Sequence, residues 1–70
     1  EDVVAQMELQ ERIQYEISRL PDKYRSVIVL KYIEELSLQE ISEILDMPLG
    51  TVKTRIHRGR EALRKQLSNL

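Results

Sequence analysis

Seventy residues, 41% hydrophobic and 33% charged with a formal net charge of −1, allow one small domain with a thin core. The absence of cysteine excludes disulfides and thiolate metal sites, and the single histidine, His57, cannot build a zinc site alone. With three tyrosines and no Phe or Trp, stacking of single-stranded bases on rings is disfavoured, and no stretch suits a bilayer span or a signal peptide. The chain starts at Glu1 rather than Met, as expected of a piece cut from a longer cytosolic protein.

A first helix is predicted from Glu1 to Arg19. Val3, Met7, Ile13, Ile17 and Leu20 share a face, and Leu9 extends it through Ile13 at a step of four. Glu1 and Asp2 suit the positive end of the helix dipole, while the looser pattern at Val4, Gln6 and Gln10 predicts fraying next to an interdomain linker. Leu20-Pro21-Asp22 then breaks the helix, because a residue before proline is disfavoured in the helical region.

Helix two is expected from about Pro21 to Glu34. Val27-Ile28-Val29-Leu30 and Tyr32-Ile33 alone resemble a buried strand. Tyr24, Val27, Ile28 and Lys31 nevertheless keep the three–four spacing, and the chain offers no partner strand. So much apolar surface predicts a central helix, part of it free for another protein.

Ser37 with Glu40 three residues later forms a capping-box pattern that starts helix three, about Leu38 to Leu45. Leu38, Ile41, Ile44 and Leu45 are expected inward, and Ser42 is small where the next helix crosses. Asp46-Met47-Pro48-Leu49 is the predicted turn: Asp tolerates a left-handed backbone, Met47 plugs the corner, and Pro48 stops helix three.

Helix four is predicted over about 49–67. Leu49, Val52, Ile56, Gly59, Leu63 and Leu67 make its docking stripe, and glycine within that stripe predicts close packing against a neighbour. Thr51, Thr54, His57, Arg58, Glu61 and Lys65 stand on the far side, with Lys53, Arg55, Arg60 and Arg64 on the flanks. The six bases from Gly50 onward face one acid, Glu61, leaving about +5 there and about −6 on the remainder. Such polarity steers a polyanion to one end of the molecule. A short capped helix, a tight turn and a longer basic helix define an all-α, four-helix domain containing a helix-turn-helix. Residues 1–19 form its N-terminal helix and residues 20–70 the DNA-binding part, within one domain overall.

Two classes of function remain open on these features: a duplex-DNA reader, and a helical adaptor that binds only proteins. An enzyme is rejected, because no motif places an acid, base, nucleophile, metal or phosphate loop; no metal or cofactor is expected. His57 is a DNA contact or a solvated side chain. Arg55 is expected to pair with an acidic helix through Glu40 or Glu43, and Arg60 is divided between that role and phosphate binding.

Leu20-Pro21, Leu36-Ser37 leading to Glu40-Ile41, and Gly50-Thr51-Val52-Lys53-Thr54-Arg55 followed by Arg58-Gly59-Arg60 resemble region 4 of sigma-70-type sigma factors, in the extracytoplasmic-function group. The resemblance covers nearly everything from Arg19 onward. LuxR-type domains share the Thr-Val-Lys but usually carry His at the position of Arg55, and are the runner-up. The resemblance implies recognition of a GAAC-like promoter −35 element within RNA polymerase holoenzyme. It implies groove-facing roles for Lys53, Thr54, His57 and Arg58, and backbone contacts from Lys31 and from the Leu38 amide. Pro48, Gly50 and Thr51 would approach the opposite strand, and Arg60 is a further candidate. It also implies docking on the flap tip of the polymerase beta subunit, with Tyr24, Val27, Ile28, Tyr32 and Ile33 as candidates, and covering by an anti-sigma factor.

Overall fold

Proline and the two capping devices divide the chain. The computed structural model describes residues 2–68, which form α1 (Asp2–Ser18), α2 (Asp22–Ile28), a π-helical continuation of α2 (Val29–Ile33), α3 (Leu38–Leu45) and α4 (Leu49–Leu67), with no strand among them. Glu1, placed by its charge at the first helix start, lies outside the described residues, as do residues 69 and 70. Pro21 is the N-cap of α2, and its carbonyl accepts from the Tyr24 and Arg25 amides, both at 2.9 Å.

The second helix departs from the expected α-helix over 21–34. Its last turn widens: the Glu34 amide donates to the Val29 carbonyl and the Leu36 amide to the Leu30 carbonyl, each at 3.0 Å. Glu35, at φ 57, ends it in the left-handed region. The wider turn breaks the three–four stripe, so Tyr32 and Ile33 are exposed while Val27 and Ile28 are fully buried.

The capping box of α3 forms as its spacing requires. The Glu40 amide donates to Ser37 Oγ (3.1 Å), and the Ser37 amide donates to the Glu40 carboxylate (2.8 Å). Asp46, at φ 52, closes the helix in a Schellman arrangement, with the Asp46 amide bonded to the Glu43 carbonyl and the Met47 amide to the Ser42 carbonyl. Ser42 does more than leave space, since its hydroxyl donates to the Met47 carbonyl at 2.6 Å and ties down the turn. α4 begins at Leu49 as predicted, with Pro48 as its N-cap, so Leu49, assigned to both the turn and the helix, belongs to the helix.

Ile17, Leu20, Val27, Ile28, Ile41, Val52 and Ile56 are the buried core, drawn from all four helices and, at Leu20, from the link between α1 and α2. Gly59 is there for close packing: a Cβ on it would lie 2.8 Å from Ile28 Cγ1 and 3.3 Å from Tyr24 Cβ. Inward assignments in three helices are corrected, among them Leu49, which heads the docking stripe of α4 but is exposed. Ile44 is 59% exposed, because at about 100° per residue it lies well off the arc that carries Leu38, Ile41 and Leu45. Val3, Met7 and Leu9 are also exposed; α1 packs on α2 and α4 only toward its C-terminal end, through Ile13 and Ile17.

At that end lies a buried charge. Glu16 is only 1% exposed and accepts hydrogen bonds from Arg12 (2.9 Å), Arg19 (3.2 Å) and Gln66 of α4 (2.8 Å). Burial raises its carboxyl pKa, but the bonds from Arg12 and Gln66 and the charges of Arg19 and Arg12 outweigh it and hold the group below the ordinary carboxylate range.

Candidate nucleic-acid interface

With Val52, Ile56 and Gly59 turned into the core, the helical rotation sorts the polar residues of α4 from Thr51 to Glu61. Lys53 and Arg60 fall on one flank, Thr51, Arg55 and Arg58 on the other, and Thr54, His57 and Glu61 point away from the core. Lys53, Thr54, His57, Arg58 and Arg60 are exposed, and Thr51 and Arg55 are half-buried.

The earlier helices complete both flanks. Lys31, from the π-helical turn, and Leu38, from the first turn of α3, meet Lys53, His57 and Arg60 around a shallow cleft of about 210 Å³. Across α4, Gly50, Thr51, Thr54, Arg55 and Arg58 surround a second cleft of about 320 Å³. Pro48 is exposed at the N-cap and lines neither cleft. The remaining two walls of the second cleft are Lys23 and Tyr24 of α2. Spacing could not place Lys23 here, since only the packing of α2 across α4 brings them together.

Gly50 contrasts with Gly59. A Cβ at Gly50 would meet nothing within 4 Å, and its φ is not positive, so neither packing nor backbone geometry requires glycine. Its small size is useful where a ligand backbone comes close. No side chain caps α4 and no acid occupies its first turn, so its first amides are left for solvent or an anion.

The cations of this face are not consumed by internal ion pairs. Among the described residues, the ion pairs are Arg12–Glu16, Arg19–Glu16, Arg25–Asp22 and Arg64–Glu61. The expected pairing of Arg55 with Glu40 or Glu43 is absent from that set, and Arg55 instead lines the second cleft. Glu61, the one acid beyond Gly50, is engaged by Arg64 at 2.9 Å. The Arg64 hydrogen bond and charge lower its pKa and raise that of Arg64, so the carboxylate is partly neutralised where the basic face ends.

A family model described as Sigma-70, region 4 matches residues 10–63, which include α3, the turn and α4 up to Leu63. The chain belongs to the sigma-70 region 4 family. Over its full length this region 4 chain is 71% identical to the ECF RNA polymerase sigma factor SigW of Bacillus subtilis. It is 46% identical over 80% of its length to the ECF RNA polymerase sigma factor SigE of Mycolicibacterium smegmatis, and 37% identical over its whole length to the ECF RNA polymerase sigma-E factor of Escherichia coli K12. It spans 37%, 22% and 37% of those three relatives respectively. The extracytoplasmic-function resemblance carried by Gly50 to Arg60 agrees with all three names.

Proposed function

We propose that this region 4 domain reads a GAAC-like promoter −35 element for RNA polymerase holoenzyme, with α4 in the major groove of duplex DNA. The observation that carries this reading is the two-sided placement of unpaired cations along an exposed helix that a helix-turn-helix holds rigidly. Lys53, Thr54, His57 and Arg58 reach for base edges and nearby phosphates. Lys31, Arg60 and the Leu38 amide hold one backbone; Pro48, Gly50 and Thr51 approach the other. The domain works in the cytoplasm on nucleoid DNA.

For the polymerase beta flap tip, the supporting surface is an open apolar groove of about 660 Å³. Ile13, Ile17, Ile28, Tyr32, Leu63 and Leu67 line it. Of the five residues first considered for this contact, Val27 is wholly core, whereas Tyr32 offers exposed apolar surface to the groove. An anti-sigma factor that covers the same groove would block polymerase.

Binding of the chain to a GAAC-containing duplex and to a scrambled duplex, at low and moderate salt, tests the DNA role. Preference for the first is expected, weakened by salt and partly lost in Lys53→Ala and Arg58→Ala. A folded chain that binds neither duplex at low salt would instead be a protein-only adaptor.

A further inference from the structure

A helix lying in the major groove has a phosphate backbone on each side of it. Lys31 and Leu38 supply one flank from outside α4, beside Lys53 and Arg60. The opposite flank has its own cleft, and the cation that reaches it from another helix is Lys23 of α2.

The setting of Lys23 is that of an anion contact rather than of a solvated surface lysine. Its ammonium lies 5.1 Å from the centroid of the Tyr24 ring, a cation–π contact that keeps it beside the cleft without neutralising it. The neighbouring carboxylate, Asp22, is paired with Arg25, whose guanidinium also donates to the Ser18 and Leu20 carbonyls. Among the described residues no acid lines the cleft: its walls are three cations (Lys23, Arg55 and Arg58), two threonine hydroxyls, Tyr24 and Gly50. Arg55 is half-buried there without an ion-pair partner among the described residues. A half-buried guanidinium that no carboxylate accompanies is poised for an anion from outside.

We infer that Lys23, with Arg55 beside it, clamps a phosphate of the DNA strand opposite the one held by Lys31 and Leu38. The clamp rests on the promoter-reading role proposed above and adds a contact from α2 to it. Because a phosphate carries no sequence information, Lys23 contributes to affinity and orientation and leaves base preference unchanged.

The test is a salt titration of binding by the 70-residue chain to the GAAC-containing and scrambled duplexes, with folding checked by circular dichroism. Lys23→Ala is expected to weaken both duplexes by the same factor and to lower the slope of log affinity against log salt by about 1. Lys23→Arg should retain the wild-type slope. Replacing single phosphates by uncharged methylphosphonates should reveal one phosphate whose neutralisation makes Lys23→Ala silent, on the strand opposite the phosphate that does the same for Lys31→Ala. If the wild type discriminates between duplexes while Lys23→Ala keeps its affinity and slope, the clamp is wrong and promoter reading stands. Altered discrimination in Lys23→Ala, or coupling to the same strand as Lys31, also overturns it. A folded wild type that binds neither duplex removes the promoter reading itself, and the clamp with it.

Discussion

Gln66 of α4 reaches Glu16 of α1 with one side-chain amide, donating to its carbonyl at 2.9 Å and to its carboxylate at 2.8 Å. Together with Arg12 and Arg19 it holds that carboxyl below its ordinary value of 4.5 despite burial, which pushes the other way. Glu40, through the Ser37 backbone and hydroxyl, and Glu61, through Arg64, are lowered as well. A carboxylate whose pKa is lower folded than unfolded adds stability that is present above the unfolded value and lost as pH falls through the folded one. Urea denaturation is therefore expected to show stability declining below about pH 4.5. Glu16→Gln should be less stable than wild type at neutral pH and converge on it in acid; an unchanged difference across that range would exclude Glu16 as a source of the acid sensitivity.

Gly59→Ala is expected to destabilise the fold. The added methyl would gain up to about 1 kcal/mol of helix propensity. It would press on the buried Ile28 at 2.8 Å and on Tyr24 at 3.3 Å, and such overpacking costs about 1–3 kcal/mol. The net loss should shrink in an Ile28→Ala background, where the obstructing side chain is gone. Thermal melts of the four proteins in that double-mutant cycle measure the coupling.

Gly50→Ala should act in the opposite sense on stability. Its new Cβ enters open space, so propensity adds about 0.5–1 kcal/mol. If the α4 N-terminus lies against a DNA backbone, the same methyl intrudes there and duplex binding weakens. A more stable variant that binds DNA as well as wild type would leave Gly50 without a role in the interface.

Glu35 carries backbone strain at φ 57. Relief of a left-handed side chain is worth about 1–2 kcal/mol, while the freedom glycine brings to the unfolded chain returns about 0.5–1 kcal/mol. Glu35→Gly is thus expected to raise stability modestly, by about 1.5 kcal/mol at most. The midpoint of urea unfolding checks this, and a lowered midpoint would show that the Glu35 side chain offsets its own strain.

The amino-acid sequence alone determined the features whose codes are local. Pro21 and Pro48 took the N-caps of α2 and α4, Ser37 and Glu40 capped α3 reciprocally, Asp46 rather than Pro48 ended α3 with its left-handed cap, and the stripe Val52, Ile56, Gly59 set the buried side of α4. Each depends on residues within about one helical turn, where backbone geometry leaves few choices. The Gly50 to Arg60 run was equally legible, because the rotation of one helix decides which of its side chains share a face.

Periodicity does not say which faces find a partner, and there the tertiary structure decided. Val3 and Met7 fit a buried stripe, yet among the described residues both are exposed. Ile44 continues the step of three from Ile41, yet it is exposed while Ile41 is buried. The wider turn at Val29–Ile33 redirected Tyr32 and Ile33 outward. Nothing in the spacing of α1 singles out Glu16, whose partner Gln66 lies fifty positions away. Lys23 joined the second cleft only because α2 crosses α4 beside Thr51 and Arg55. Burial and cleft formation belong to pairs of helices, and their crossing is fixed by the fit of side chains such as Ile28 against Gly59, not by the spacing within either one.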